Sequence, residues 1–305
     1  MKEIKILWKC LLILGVVSLF TACGDDDEAA PEPQNLVEIA AADGQFSILV
    51  SALQRTGLDQ TLAGTGPFTV FAPTNAAFDG IDVANMDVTM LTNILRYHVF
   101  IGQALKAGDI ADGDTYITTA SEAGFNGTNM SARINKANGA VTINGDIRVT
   151  TADVEGTNGV IHIIDKVMMP LDVVGHALAN PNFSSLVGAL GDAAGDLVNT
   201  LQQPGPYTVF APVNSAFDEV ASVVAGYTPE RLRDVLLYHV VSGNVRSSDL
   251  RSNEPVTTVN TGTFTVQLGD EVTIIDAQER TATVVLTDVQ GTNGVIHVIN
   301  KVILP

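Results

Sequence analysis

Gly294-Val295-Ile296-His297-Val298-Ile299-Asn300-Lys301-Val302-Ile303-Leu304-Pro305 is written once before in the same chain, as Gly159-Val160-Ile161-His162-Ile163-Ile164-Asp165-Lys166-Val167-Met168-Met169-Pro170. In each copy both alternating sets of residues are apolar: Val160, His162 and Ile164 on one side of an extended chain, Ile161 and Ile163 on the other. That pattern predicts a strand buried on both faces. The preceding Gly156-Thr157-Asn158-Gly159 and Gly291-Thr292-Asn293-Gly294 set Asn-Gly between two β-rich runs, which predicts a tight hairpin with positive φ. Proline has no N–H for the ladder, so Pro170 and Pro305 are expected to end the strands.

A chain of 305 residues, 46% hydrophobic, has material for about two domains with cores of their own. Its formal charge is −18, and three of its few cations, Lys2, Lys5 and Lys9, stand at the extreme amino terminus. Such a surface repels phosphate backbones, which argues against a nucleic-acid partner.

Those lysines precede an apolar run over 10–20, too short to span a bilayer as a helix and suited to an export signal. The run ends Leu19-Phe20-Thr21-Ala22-Cys23, which resembles a bacterial lipobox, although Phe20 stands where leucine is usual. The resemblance implies a signal peptide over 1–22 and a lipidated Cys23 holding the protein on a membrane, each acyl methylene contributing about 0.8 kcal/mol. The acidic Gly24-Asp25-Asp26-Asp27-Glu28 resembles the tag that sends some Gram-negative lipoproteins to the exterior of the outer membrane, and also reads as a solvated spacer. With the Pro-containing stretch after it, residues 23–35 read as an acidic tether. The only cysteines are Cys10 and Cys23, so the remainder of the chain is expected to be stabilised by packing and not by disulfides.

Two further blocks recur. Gly66-Pro67-Phe68-Thr69-Val70-Phe71-Ala72-Pro73-Thr74-Asn75-Ala76-Ala77-Phe78 returns as Gly205-Pro206-Tyr207-Thr208-Val209-Phe210-Ala211-Pro212-Val213-Asn214-Ser215-Ala216-Phe217, and the pair Tyr97-His98 returns as Tyr238-His239. The three blocks lie 139, 141 and 135 residues from their copies, so insertions fall between them, in loops. The period is a whole domain. No Gly/Ser spacer separates Pro170 from the helix expected near Asp172, so the domains, 36–170 and 171–305, should abut with little freedom.

In this order the blocks resemble those of the fasciclin (FAS1) domain family, over residues 36–305. The resemblance implies an α+β fold: two tandem FAS1-like domains, each a β-sandwich or wedge with packed helices. The residues support it independently. Phe46, Leu49, Val50 and Leu53, and again Phe183, Leu186, Val187 and Leu190, fall at i, i+3, i+4 and i+7, which predicts an opening amphipathic helix in each domain. A helix should follow each Phe-Ala-Pro strand, with Asn75 and Asn214 as its caps, each worth on the order of 1 kcal/mol. Another is expected from Asp87 and from Thr228, where Thr228-Pro229-Glu230 supplies a cap, a proline at the first position and an acid at the positive end. Strands are expected over 115–119, 130–134, 140–143 and 147–153, and over 256–259, 264–268, 271–275 and 282–287.

Little in the chain points to catalysis. Nucleophile elbow, phosphate loop and dinucleotide fingerprint are all missing, and no spacing suggests a metal centre. His162 and His297, set among Val and Ile, read as structural rings needing one or two hydrogen-bond partners. The Tyr-His region is linked to integrin adhesion in some animal members of the family, and the resemblance makes Tyr97, His98, Tyr238 and His239 candidate partner contacts; core or rim aromatics are the alternative. His176 has no copy and is expected at the surface. The reading is a cell-surface, lipid-anchored adhesion or interaction module without cofactor or catalysis, meeting an extracellular protein or polysaccharide, its oligomeric state open. The alternatives are a glycan-binding accessory lipoprotein of a surface uptake system, which would need exposed aromatics on a groove, and, less favoured, a hydrolase.

Overall fold

In a computed structural model each domain opens with helices and closes with a run of strands. The structure describes residues 32–305; the export segment, Cys23 and most of the tether lie outside the described residues. The first domain runs α1 (Leu36–Ala42), α2 (Ser47–Thr56), α3 (Leu58–Leu62), β1 (Phe68–Pro73), α4 (Val88–Tyr97), β2 (Val99–Ile101), β3 (Gly113–Thr118), β4 (Ser131–Ala137), β5 (Ala140–Ile143), β6 (Ile147–Gly156) and β7 (Gly159–Ile164). The second repeats it as α5 (Val173–Leu178), α6 (Ser184–Asp192), α7 (Leu197–Gln202), β8 (Tyr207–Pro212), α8 (Asn214–Val224), α9 (Pro229–Tyr238), β9 (Val240–Ser242), β10 (Pro255–Thr257), β11 (Thr263–Leu268), β12 (Val272–Ile275), β13 (Thr281–Gly291) and β14 (Gly294–Ile299). Each domain is α+β, with one mixed seven-stranded sheet, ordered β2-β1-β7-β6-β5-β4-β3 and β10-β11-β12-β13-β14-β8-β9.

The quoted run is the centre of each sheet. β7 pairs parallel with β1, Phe68 opposite Gly159 through Pro73 opposite Ile164, and β14 pairs with β8 in the same way. Both faces of this pair are covered. Phe68, Val70, Ala72 and Ile161 pack under the helices, while Phe71 and Ile164 point into a second core lined by Tyr97, Met130, Ile134 and Ile143. The second domain divides its core likewise, Ala211, Ile296 and Val298 toward the helices and Phe210 and Ile299 toward the curled half of the sheet.

The expected hairpins form, with Thr157-Asn158 and Thr292-Asn293 at their tips, but positive φ at the asparagine is not what they require. Each asparagine is a hub. The Asn158 carboxamide accepts from Leu36 N (3.0 Å) and donates to the Leu62 and Gly64 carbonyls (2.8 Å each), while its own carbonyl accepts from Phe68 N. Asn293 does the same for Val173, Leu201, Gln203 and Tyr207. The glycines follow from this crowding: a Cβ on Gly66 would overlap the Asn158 carbonyl, and one on Gly159 the Phe68 carbonyl.

Four expectations are corrected. The central strands end at Ile164 and Ile299, six residues before each proline, because the chain leaves the ladder to be held by histidine, as described below. A short helix, α1, precedes the predicted opening helix of the first domain, the counterpart of α5, which is the helix expected near Asp172. After Pro73 the first domain has a single 3₁₀ turn (Asn75–Phe78), shortly followed by Gly80 at φ +76°, where the second has the full helix α8. Asn75 and Asn214 are the first residues of those elements and do not cap them. They reach across to the opening helices instead: Asn75 Oδ1 accepts from Ile48 N (3.0 Å) and its amide donates to Gly44 O (2.9 Å), and Asn214 joins Ser185 N to Pro181 O. The side chain thus satisfies a free N–H at the start of α2 or α6, the job of a cap performed from outside the helix.

Replacing Gly159 or Gly294 by alanine forces the parallel pair apart at its first rung and should lower stability by about 1–3 kcal/mol, read as a shift in urea midpoint with unchanged slope. Alanine at Gly44, which has open space around it, should cost far less.

Candidate functional site

The repeated histidines join elements distant in sequence. His98, at the end of α4, donates from Nδ1 to Ile94 O (2.7 Å) and accepts at Nε2 from Met168 N (2.8 Å). His239 repeats this with Val235 O (2.8 Å) and Ile303 N (3.1 Å). A carbonyl on one nitrogen and an N–H on the other fix one neutral tautomer. Burial pushes both rings down to about 4.

His162 and His297 clasp a different seam. Their Nε2 donates to Leu105 O (2.8 Å) and Val245 O (2.9 Å), and their Nδ1 faces the N–H of Asp153 and Asp288 at 3.4 Å. Those aspartates sit at φ +61° in bulges of β6 and β13, where the register shifts. Burial lowers both histidines below their ordinary range. The loops they grip are also held by the threonines of the second repeated block: Thr69 Oγ accepts from Leu105 N and donates to Gln103 O, as Thr208 does with Val245 and Gly243.

Tyr97 and Tyr238 are wholly enclosed, their hydroxyls donating to Ser131 O (2.8 Å) and Thr263 O (2.6 Å). Burial raises both phenols above the ordinary range. The structure therefore places none of the four candidate contact rings, Tyr97, His98, Tyr238 or His239, where an outside partner reaches it. They lie in the core, the tyrosine rings among apolar side chains and the histidines satisfying the carbonyls of Ile94 and Val235 near the ends of α4 and α9.

What the structure brings together instead is a seam between the domains, within one compact unit from Pro33 to Pro305. Arg133 on β4, 5% exposed, pairs with Asp114 at 2.5 Å and donates to Ala179 O at 2.9 Å in the second domain. Asp114 also accepts from Asn182, and the Tyr116 hydroxyl from Asn180. Ser131 Oγ accepts from Gln290 N (2.9 Å) and donates to Asp288 O (3.4 Å). His176 is not at the surface: 1% exposed, it donates to Gln290 O (3.3 Å) and lies 6.3 Å from the Tyr116 ring, in a helix turned toward the first domain. Burial pushes it down to about 4 as well. Among the described residues, no group of three or more His, Cys, Asp or Glu is placed to hold a metal ion.

None of the seam residues lies in a repeated block, so comparing blocks does not find them. A usable signal is where the copies differ. Gln290 stands two residues after the bulge aspartate, where the first domain has Glu155; Gln290 is buried, whereas Glu155 is exposed and pairs with Lys106.

The chain belongs to the fasciclin family: the Fasciclin domain model matches residues 44–170 and 181–305. It is 28% identical over 283 residues to transforming growth factor-beta-induced protein ig-h3 of Sus scrofa, covering 89% of this chain and 39% of that protein. It is 26% identical to human periostin, covering 89% and 31%, and 38% identical over 149 residues to protein sll1483 of Synechocystis, covering 47% and 77%. The chain thus spans two fifths or less of the animal relatives. Its fold matches the FAS1 domain pair of the insect cell adhesion molecule fasciclin I with a TM-score of 0.53 at 20% identity, over 86% of this chain and 97% of that one.

Two outcomes follow. His98, His176 and His239 are held near 4 against an ordinary 6.5, so between those values the unfolded chain binds the protons. Their contribution is complete above pH 6.5 and falls as pH drops toward 4, by on the order of 3 kcal/mol per ring. Urea unfolding at pH 7.5 and 4.5 should show this loss, and His239→Ala should flatten the pH dependence while lowering stability at both. At the seam, Arg133→Ala leaves the Ala179 carbonyl without its donor and Asp114 with only its amide partners, Asn135 and Asn182, and should cost about 1–3 kcal/mol of interdomain stability. Small-angle scattering should then show a wider range of domain separations, with helix and strand content retained.

Proposed function

We propose that this protein is a cell-surface adhesion or interaction module without catalysis, its two domains, 36–170 and 171–305, presenting one continuous surface. The observation that carries this reading is the seam: the buried Arg133, paired with the partly exposed Asp114, bonds into the second domain and supports a fixed relative placement of the halves. A fixed pair adds weak contacts without the ordering cost of a flexible join. The insect domain pair that shares this fold comes from a cell adhesion molecule, which supports the same class of role. The buried, singly tautomeric histidines support a structural role for His98, His162, His239 and His297, not a role as bases or ligands.

Anchoring is the second part of the proposal. Cys23 as an acylated amino terminus, with the acidic run behind it, would hold the module on the outer membrane facing the exterior. Among the described residues no single helix is long and apolar enough to cross a membrane. The partner is an extracellular protein or polysaccharide. The rival glycan-binding reading finds less support: an open cleft beside Lys106, Glu155 and Asn158 has no aromatic in its lining to stack on a sugar.

The test is display. Cells expressing the full chain should adhere to immobilised matrix protein or polysaccharide, soluble 33–305 should compete, and chelator should have no effect. Arg133→Ala should weaken adhesion several-fold without reducing surface amount. Cys23→Ala should leave the membrane fraction, and mass spectrometry should find an acylated Cys23 in the parent. Adhesion no greater than that of cells without the chain would overturn the reading.

A further inference from the structure

The seam is head-to-tail: the first domain uses its β3–β4 face, the second the end formed by α5, the turn after it and β13. Each domain therefore keeps the surface that the other has used. Matching the copies identifies these free surfaces residue by residue. Thr263 corresponds to Ser131, since the carbonyl of each receives the buried tyrosine hydroxyl and each stands opposite a threonine, Thr257 or Thr118, on the neighbouring strand. Asp153 and Glu155 correspond to Asp288 and Gln290, since both aspartates sit at φ +61° facing a histidine Nδ1, and Glu155 and Gln290 pair with Val160 and Val295.

We propose that these surfaces meet between molecules: the β10–β11 face of one copy docks on the α1/β6 end of a second copy, with the Thr263 hydroxyl on the main chain of Asp153 and Glu155. Three observations support it. In the seam the docking end is read through its backbone, the N–H of Gln290 and the C=O of Asp288, which a change of side chain to Glu155 does not remove. The hydroxyl that reads it is kept as Thr263. Among the described residues both surfaces are uncovered: Glu155 and Thr263 are exposed where Gln290 and Ser131 are 1% and 5% exposed. An open cleft of about 760 Å³ runs beside the free edge, lined by Gly66, Lys106, Glu155, Thr157 and Asn158.

The contact between copies is weaker than the seam, for stated reasons. Arg133, Tyr116 and Asp114 are replaced by Thr265, Pro255 and Asn253, and Asn180 by Asp43. The loop 121–130, which brings Gly124 against Gln290, is shortened to the turn 258–262. The copies also share a charge of −18, so association strengthens as salt rises. A head-to-tail contact of this kind is heterologous and joins molecules into chains, or into rings where its rotation closes. Chains held on one membrane meet at high effective concentration, so weak contacts suffice. This inference deepens the adhesion reading by naming one partner, yet it is measured on the purified chain alone and so fails or stands separately from binding to other surfaces.

The test uses residues 33–305, one compact unit without cysteine. Sedimentation should show reversible association that increases with protein concentration and with salt. Thr263→Cys and Glu155→Cys chains, mixed under a glutathione buffer, should form the mixed disulfide in several-fold excess over either homodimer. Thr265→Arg combined with Asn253→Asp, which restores the ion pair of the seam on the free face, should tighten association tenfold or more. Monomer at millimolar protein, homodimers equal to or above the mixed disulfide, or an affinity unmoved by the graft would each overturn the proposal.

Discussion

Each domain depends on one interaction, the parallel pairing of β1 with β7 and of β8 with β14. A parallel pair cannot be joined by a hairpin, so the chain must travel through nearly the whole domain before its two central strands meet. Both faces of the pair must then be covered, by helices on one side and by the curled half of the sheet on the other. That requirement explains why the domain has two cores divided by one sheet, and why Phe71 and Phe210 stack beside His162 and His297 at 5.5 and 5.3 Å in the midst of apolar side chains. Bringing distant segments together also leaves many loop carbonyls and N–H groups in dry surroundings. The asparagine hubs, the threonines of β1 and β8 and the four repeated histidines are the groups that satisfy them.

Histidine suits this work for a physical reason. It offers a donor and an acceptor on opposite sides of a flat ring that packs like an aromatic, so it can bridge an N–H and a carbonyl across a core where a longer amide would leave a void. The cost is that the ring must stay neutral. Burial enforces that at neutral pH, and the same burial makes acid a solvent in which the clasps open.

The repeated blocks made the central strands, the two-domain period and the family legible, because these positions carry the same constraint twice. The α4 and α9 helices were legible from Asp87 and from Thr228-Pro229, which cap where expected by accepting from Met90 N and Arg231 N. Asn75 and Asn214 were legible as caps but of the wrong helices, since local sequence does not say which free N–H lies across a loop. The Tyr-His rings were recognised as special, yet their burial was not readable, because an amphipathic helix end presents the same letters whether it meets solvent or a strand. His176 reads as a surface ring and Arg133 carries no signal for the opposite reason: each stands where the copies differ, so no repeated constraint marks it.

Those differences are where the tandem acquires its individuality. Were the two domains identical, every docking end would attract every docking face, and the internal seam would compete on equal terms with contacts to other molecules. The substitutions break that equality: Arg133, Asp114, Tyr116 and Gln290 concentrate the strong contacts in one place, while Thr265, Asn253, Pro255 and Glu155 leave the matching places with only the backbone and a hydroxyl to offer. A buried ion pair is a poor source of net stability but a strong discriminator, because breaking it strands a charge. The seam is made within the chain, where effective concentration is highest. On the association proposed above, what remains outside is a pair of open, weakly sticky ends, too weak to compete with the seam inside each chain.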